Sequence, residues 1–510
     1  MKFYFDRTLS HQYSYKEECQ GECRDCGGPL LPAIRDIFPP SQAEQERIAL
    51  MTLQHAPSLY RQLITEESWL LCNPTGPGYV IVMDSDALAF FDRFHTPYAL
   101  SELAATAEIV QITALFVKAG LLTGTTLQEH WQEAEEDNLI LTAWLHVTNS
   151  CNLRCSYCYI DKSQESMSQD TAYHAIDAIF RSASIHGFKR VQLKYAGGEA
   201  SLRLAQIIEI HDYALQLAQK HAIELGACIL SNGVYLSPRA IDELKKRHIG
   251  ITLSLDGIGI DQDRQRSFHN GFGSFQYVDR TIHKLLQHGI VPAISVTVSQ
   301  RNIDGLPALM AYILDRALPF SFNYYRENHY TAHLQDLSFT DQHMIQGMKK
   351  VFKQLEGRLP RNRILEAILD KAKFVPHQRT CGVGQNYLVI DQQGGIAKCQ
   401  TTIEQTITTI YAHDPLQLIN DDRTGVRNLP VEEKEGCRSC LWRHWCTGGC
   451  PTLTYQATGR YDVKSPHCNI YQALFPAALH LEALRLLSYE PPFSIERPST
   501  LQQECHALLL

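Results

Sequence analysis

No apolar run in this 510-residue chain approaches the ~20 residues needed to cross a bilayer. The polar opening "MKFYFDRTLSHQYSYKEE" lacks the apolar stretch of a secretory signal. A cytoplasmic chain with no membrane partner is expected. Positive charge is also in short supply: 47 Lys and Arg stand against 55 Asp and Glu, a net charge of −8. The only short basic clusters are Lys189-Arg190 and Lys245-Lys246-Arg247, so nucleic acid is not the expected partner. Repeats of solenoid period and low-complexity tracts are missing too. Cysteine, by contrast, is plentiful, with 16 in the chain. Cytosolic thiols are kept reduced, so these residues point to metal binding rather than to a disulfide framework. The length exceeds one typical core, and roughly two to four domains are expected.

Cys72, Cys228 and Cys505 are isolated and read as ordinary buried thiols. The other cysteines fall into groups whose meaning depends on their surroundings. From about Leu139 to Arg326, short apolar runs at 141–148, 191–197, 227–233, 251–257, 291–298 and 320–326 alternate with helix-length segments. One segment opens with Ser237-Pro238, a helix cap followed by proline at the first helical position. Six β-α units in a row predict a parallel sheet wound with helices, either open or a partial barrel. Several runs end in small or polar residues: Gly197-Gly198-Glu199, Ser231-Asn232-Gly233, Asp256-Gly257, and Thr297 with Asn302 beyond it. Each is an ordinary turn sequence by itself, but together they stand where α/β folds bind ligands, at the C-terminal ends of strands. The pair Tyr324-Tyr325 and Arg326, ending the sixth run, are candidates to face a substrate.

Two triplets share the spacing C-x3-C-x2-C: Cys19, Cys23 and Cys26, and Cys151, Cys155 and Cys158. Only the second follows a predicted strand of the sheet. An iron-sulfur cube normally takes four thiolates, so three leave one iron open, as a cluster that binds its substrate requires. Zinc wants four ligands, and no Cys or His completes a set nearby. The first triplet ends in "CRDCGG", which looks like a zinc knuckle, with His11 or Cys72 as fourth ligand. Three unligated thiols on an arm remain the alternative.

"CNLRCSYCY", "GGE" after the second strand, "SNG" after the third and "SLDG" after the fourth together resemble the radical S-adenosylmethionine (SAM) enzymes. The resemblance implies an α/β partial (β/α)6 TIM-like barrel. It also implies a 4Fe-4S cluster on Cys151, Cys155 and Cys158 whose open iron chelates SAM. One-electron cleavage to methionine and a 5'-deoxyadenosyl radical would follow, the hard chemistry belonging to cluster and cofactor. It places Gly197, Gly198 and Glu199 at the SAM amino group, Ser231, Asn232 or Ser254 near the ribose, and Tyr157 beside the adenine. Arg266 is a candidate partner of the SAM carboxylate, a solvent-exposed arginine being the alternative. Ala200 stands where the family usually has proline.

Cys381, Cys399, Cys437, Cys440, Cys446, Cys450 and Cys468, with "CTGGCP", resemble the SPASM extension of peptide-modifying radical SAM enzymes. By that resemblance Cys437, Cys440, Cys446 and Cys468 hold one auxiliary 4Fe-4S cluster, and Cys381, Cys399 and Cys450 hold another, for three clusters in all. The second is one ligand short: Val375 stands at the position of the extra family cysteine, and His377, a more distant residue or the substrate would fill the gap. Residues 68–83 predict a hairpin with a Pro/Gly turn, followed by three helices, of which the last reaches "GLL". This unit resembles the winged-helix peptide-recognition domain of PQQ-biosynthesis peptide chaperones, which capture a leader peptide as an added strand.

The expected organisation is a cysteine-containing arm (1–45), a winged helix (46–128), the barrel (138–330), a bridge (331–375), a SPASM domain (376–470) and a C-terminal helix (471–510). The expected function is oxidative maturation of a ribosomal precursor peptide by hydrogen abstraction and cross-linking through a thioether, C–C or C–O bond. Its partners would be the leader-bearing precursor and a reductant such as flavodoxin or ferredoxin. The alternatives are a maturase of a protein, of the formylglycine-forming or quinohemoprotein thioether type, and a non-catalytic iron-sulfur electron carrier.

Overall fold

The computed structural model describes residues 1–6, 40–102, 106–124 and 139–495. The triplet Cys19, Cys23 and Cys26, with His11 and Cys505, lies outside the described residues.

The first unit is larger than a hairpin with helices. Its strands are β1 (Lys2–Phe5), β2 (Thr52–His55), β3 (Tyr60–Thr65), β4 (Ser68–Cys72), β5 (Val80–Asp84), β6 (Tyr98–Ala99) and β7 (Leu122–Gly124). The expected hairpin is β4–β5, with Leu70 opposite Val82. It belongs to a five-stranded antiparallel sheet in the order Phe493–Ser494, β1, β5, β4, β3. Two expectations are corrected here. Residues 2–5 are a strand rather than part of an arm, because "KFYF" alternates and buries Phe3 and Phe5. Helix Gln42–Ala49, closed by a Ser41/Glu44 capping box, also starts inside the expected arm. The helix over "AEIVQITALFVK" stops at Lys118, and the residues of "GLL" continue into β7. The helices and this sheet enclose an aromatic core in which Phe3, Phe90, Phe91 and Phe116 meet.

All six expected parallel strands are present: β8 (Ile140–His146), β10 (Arg190–Ala196), β11 (Glu224–Ser231), β12 (Gly250–Ser254), β14 (Ala293–Val298) and β15 (Phe320–Tyr324). They lie side by side in chain order, with two short strands, β9 (Leu153–Cys155) and β13 (Arg266–Phe268), in the loops between them. Residues such as Leu145, Leu193, Ile229, Leu253 and Val296 face the surrounding helices in the main core. The alternate positions carry polar groups, among them His146, Lys194, Ser254 and Thr297. A sheet apolar on one side and polar on the other is what a helix-wrapped ligand cavity requires. Ser237 caps helix Pro238–Lys246 by accepting from Ala240 N, as its sequence predicts.

The sheet does not end at β8. Strand β16 (Tyr387–Ile390) pairs parallel with it, Leu388 opposite Ala143, and continues into β17 (Gly395–Ala397) and β18 (Thr408–Thr409). β16 and β17 form a hairpin flanked by Cys381 and Cys399, and it extends the sheet to nine strands. The supposed bridge is integral as well, since helix Asp341–Glu356 packs on helix Cys468–Tyr489.

That last helix begins at Cys468 and ends at Tyr489, short of the expected 471–510 span, and the chain then forms the Phe493–Ser494 strand against β1. It packs on β3, β4 and β5 as well as on the downstream module. Its Arg485 forms a buried group with Glu482 (2.7 Å) and Asp6 (2.8 Å), tying residues of both termini together. Tyr60 of β3 meets Trp442 of the cysteine-rich module, the ring centroids 4.9 Å apart and the planes tilted by 60°. Cys72 is buried in the apolar core, as expected of an ordinary thiol. Cys228 is disulfide-bonded, which corrects its reading as a plain thiol. No helix among the described residues is long and apolar enough to cross a membrane.

Candidate active site

The loop carrying Cys151, Cys155 and Cys158 leaves the C-terminal end of β8 and is pinned from three sides. Val147 N donates to Ala196 O at the end of β10, and Met167 N to Val147 O, which closes the base of the loop. Gly198 N donates to Thr148 O at 2.6 Å, and Glu199 N to Ser150 O at 2.8 Å. Strand β9 pairs with β13, setting Cys155 opposite Arg266. The three thiols lie close enough to act on one another's ionisation, and burial pushes the Cys155 thiol up to about 12. Lys162, four residues beyond Cys158, donates to its sulfur at 2.9 Å. Burial opposes the Lys162 charge, but the thiolates of Cys158 and Cys151 outweigh it and hold the ammonium above its ordinary value. Sequence reasoning passed over Lys162, although its place directly after "CSYCYID", within one loop of three thiols, was a usable signal.

Glycine is required at 197 and 198 by close approach. A Cβ on Gly198 would lie 2.4 Å from Ser150 O and 2.5 Å from Asn149 O. Gly198→Ala is therefore expected to push the cysteine loop off the sheet. Iron bound at Cys151–Cys158 should fall severalfold after reconstitution while far-UV circular dichroism stays unchanged. Glu199 is almost fully buried, and its carboxylate accepts from Ser201 N (3.0 Å), Ser231 Oγ (2.8 Å) and Asn232 N (2.6 Å). Three of its roughly four acceptor positions are thus taken by protein donors, and it fastens the loops after β10 and β11 together. Asn232 also reaches the cysteine loop, donating to Asn152 Oδ1 at 2.7 Å and standing 3.8 Å from Cys151 Sγ.

Asp256, just past β12, is the second fastening point. Its side chain is fully buried and accepts from Arg266 Nε (2.8 Å), Tyr157 Oη (2.5 Å), Gln265 Nε2 (3.3 Å) and Thr297 N (2.8 Å). Asn302 donates to Asp256 O and Thr297 O. Arg266 lies over the Tyr157 ring at 5.3 Å. This disposes of the solvent-exposed alternative for Arg266, which is buried with one side chain nitrogen on Asp256. Ser254 sits on the polar side of β12 beside Ser295 of β14. Tyr324 instead packs against Tyr471, Phe339 and His467 with its hydroxyl buried, Tyr325 bonds Thr331, and Arg326 pairs with Asp370. Packing between the sheet and the downstream module has thus taken up the Tyr324 ring.

Two buried histidines add an acid-sensitive element. Burial holds His146 and His211 down at about 4. Both exceed that value by a wide margin once unfolded, so the unfolded chain takes up protons first as pH drops. Stability present above pH 6.5 should be lost progressively between about 6.5 and 4, by about 3 kcal/mol for each histidine. Thermal unfolding of the metal-free chain across that range would show it, and His146→Asn should flatten part of the slope.

The downstream cysteines form two separate places. Cys437, Cys440, Cys446 and Cys468 line one small cavity together with Trp442, Lys464 and Tyr471. Burial pushes Cys437 up to about 11 and Cys446 up to about 12. Such thiols ionise readily only when a metal takes the proton's place. Cys381 and Cys399 are buried beside Trp144, Ala196, Tyr387 and Val389, that is, against the polar side of the sheet. Asn428 stands 3.7 Å from Cys381 Sγ, and Thr452 3.9 Å from Cys399 Sγ. Val375 packs in the aromatic core of the first unit. His377 has Val375 O at 2.9 Å from one ring nitrogen and Thr447 Oγ1 at 3.4 Å from the other, so its ring is already engaged by the protein. The seven cysteines from Cys381 to Cys468, like Cys151, Cys155 and Cys158, are free thiols. Among the described residues no three His, Cys, Asp or Glu side chains converge as one metal ion requires.

Comparisons with known proteins agree with this geometry. The chain is similar to an uncharacterized protein of Archaeoglobus fulgidus, 22% identical over 70% of this chain and 85% of that one. It is also similar to the antilisterial bacteriocin subtilosin biosynthesis protein AlbA of Bacillus subtilis, 24% identical over 51% of this chain and 54% of AlbA. The chain thus spans about half of AlbA's length. In fold it is similar to anSMEcpe, solved with bound AdoMet and the Cp18Cys peptide, at a TM-score of 0.54, 17% identity, and coverage of 67% of this chain and 98% of that one. Residues 145–308, from the end of β8 to the helix after β14, match the Radical SAM superfamily model, and the chain therefore carries a radical SAM domain.

Proposed function

We propose that this chain is a radical SAM maturase that cross-links a residue of a ribosomally made precursor peptide. The observation that carries the reading is the cysteine loop of β8, clamped to the ends of β10, β11 and β12 by Glu199, Asn232 and the Arg266–Asp256 pair. Cys151, Cys155 and Cys158 would hold a 4Fe-4S cluster, three thiolates leaving one iron for the amino acid end of SAM. When bound, cluster and SAM supply one-electron chemistry strong enough to take hydrogen from an unactivated carbon.

The chain's own groups do the placing. Gly197 and Gly198 bring backbone close to the cysteine loop, and the remaining acceptor position of Glu199 suits an ammonium group. The terminal nitrogens of Arg266, whose Nε is held by Asp256, would take a carboxylate. Tyr157, fixed by Asp256 and Arg266, would border the adenine, and Ser231, Asn232 and Ser254 would lie toward the ribose. The polar side of the parallel sheet would hold the substrate residue away from bulk water.

The two downstream groups support auxiliary clusters of the SPASM type. Cys437, Cys440, Cys446 and Cys468 would ligate one fully. Cys381, Cys399 and Cys450 would leave the other with an open position, since Val375 and His377 are engaged elsewhere. A peptide substrate is supported by the likeness to AlbA and by β3, the outer strand of the first unit's sheet, whose residues alternate in exposure and whose Leu63 is 51% exposed. Strand β1 already fills the edge of β5, so a leader peptide added as a strand would dock on β3.

Incubating the reduced, iron-loaded chain with SAM and a precursor from a neighbouring reading frame should give a product lighter by two hydrogens per cross-link. Unchanged peptide mass with SAM consumed would count against peptide maturation. Failure to consume SAM at all would favour an electron carrier.

A further inference from the structure

Lys434 is fully buried, and the mechanism above makes no use of it. Its ammonium donates to Thr447 O at 2.6 Å, and no acidic side chain pairs with it among the described residues. Thr447 follows Cys446 in the chain. Its hydroxyl meets Thr380 Oγ1 at 3.1 Å, and Thr380, the residue before Cys381, donates to Gly449 O at 2.7 Å beside Cys450. Cys437 N in turn donates to Lys434 O at 3.1 Å. The lysine therefore stands at a junction between the two downstream cysteine groups.

The sequence makes room for it there. A Cβ on Gly448 would fall 2.6 Å from Lys434 Cδ, and Gly448 has φ of +78°, so the first glycine of "CTGGC" lets the stem pass. A buried ammonium with one neutral acceptor is costly unless negative charge stands close by. The anionic groups that act on Lys434 are cysteine thiolates, Cys446 and Cys437 from one group and Cys381 and Cys450 from the other.

We propose that Lys434 is a shared counter-cation for both cysteine-held centres, a positioning residue that raises both reduction potentials together. This rests on the reading of the two groups as iron-sulfur clusters. Each reduction adds one electron beside a fixed positive charge, so a common cation eases reduction at both.

The test is an EPR-monitored redox titration of the full, reconstituted chain as wild type, Lys434→Met and Lys434→Arg. Cys437→Ser and Cys399→Ser variants serve to assign the two auxiliary signals. Wild type should carry roughly twelve irons, four per cube. Lys434→Met should make both auxiliary clusters about tenfold harder to reduce, about 59 mV for one electron, and Lys434→Arg should restore both. Loss of iron from both centres in Lys434→Met, with retention in Lys434→Arg, would support the same role. A shift or iron loss at one centre only, no shift with full iron, or failure of arginine to restore the potentials would overturn it. A wild type holding only about four irons would instead remove the cluster reading on which the inference stands.

Discussion

Cys155→Ala is expected to reduce 5'-deoxyadenosine formation from SAM to the level of a protein-free control and to remove about a third of the iron, one cube of three. Cys155 is the middle ligand candidate and sits on β9, where pairing with β13 sets it opposite Arg266. Losing its sulfur leaves two thiols, on Cys151 and Cys158, in a loop that the rest of the fold still holds in place. The effect should therefore fall on the metal content and the chemistry rather than on folding. Nucleoside chromatography after dithionite reduction, with iron analysis and circular dichroism on the same preparation, separates these outcomes. Near-normal cleavage with full iron would place the reactive centre elsewhere.

Arg266→Ala should produce the largest loss of stability among the site substitutions, about 3–5 kcal/mol, because it strands a carboxylate in the interior. Asp256 is fully buried, and Arg266 is its one ion-pair partner among the described residues, although Tyr157, Gln265 and the Thr297 amide still donate to it. A domain is stable by only about 5–15 kcal/mol, so the variant should unfold at markedly lower urea than wild type. The double variant Arg266→Ala/Asp256→Asn removes the stranded charge and should recover part of the loss. Equal stability of the single and double variants, or a loss below about 1 kcal/mol, would show that the pair does not hold the cysteine loop in the way described.

Much of the site could be read from local sequence, and the reasons for the rest are physical. The six parallel strands announced themselves as apolar runs, and Gly197-Gly198-Glu199, Ser231-Asn232 and Asp256 stood together at their ends as expected. Which carboxylate receives which donor could not be read, because Glu199 bonds across 33 residues and Asp256 across 41. Register over such separations depends on packing that a local window does not contain. The same limit hid β16: its pairing with β8 is supported by Asn386 donating to Ile140 O across 246 residues. Tyr324 misled for the opposite reason, since its place at a strand end was visible but the Tyr471 ring that covers it belongs to a distant helix.

The pairing of β1 with Phe493–Ser494, and of Asp6 with Arg485, bears on how the chain is made. These contacts join residues separated by 479 positions or more. A ribosome delivering roughly 5–20 residues per second needs about half a minute or longer to bring them together. Until then the first sheet lacks its clasp, and the outer edge of β1 stands open to any other strand. Every cysteine from Cys151 to Cys468 has emerged by that time, so metal can enter before the clasp shuts. Closure of this sheet thus waits on the synthesis of residues 485–494, and nascent chains should depend on chaperones most heavily in the interval before it.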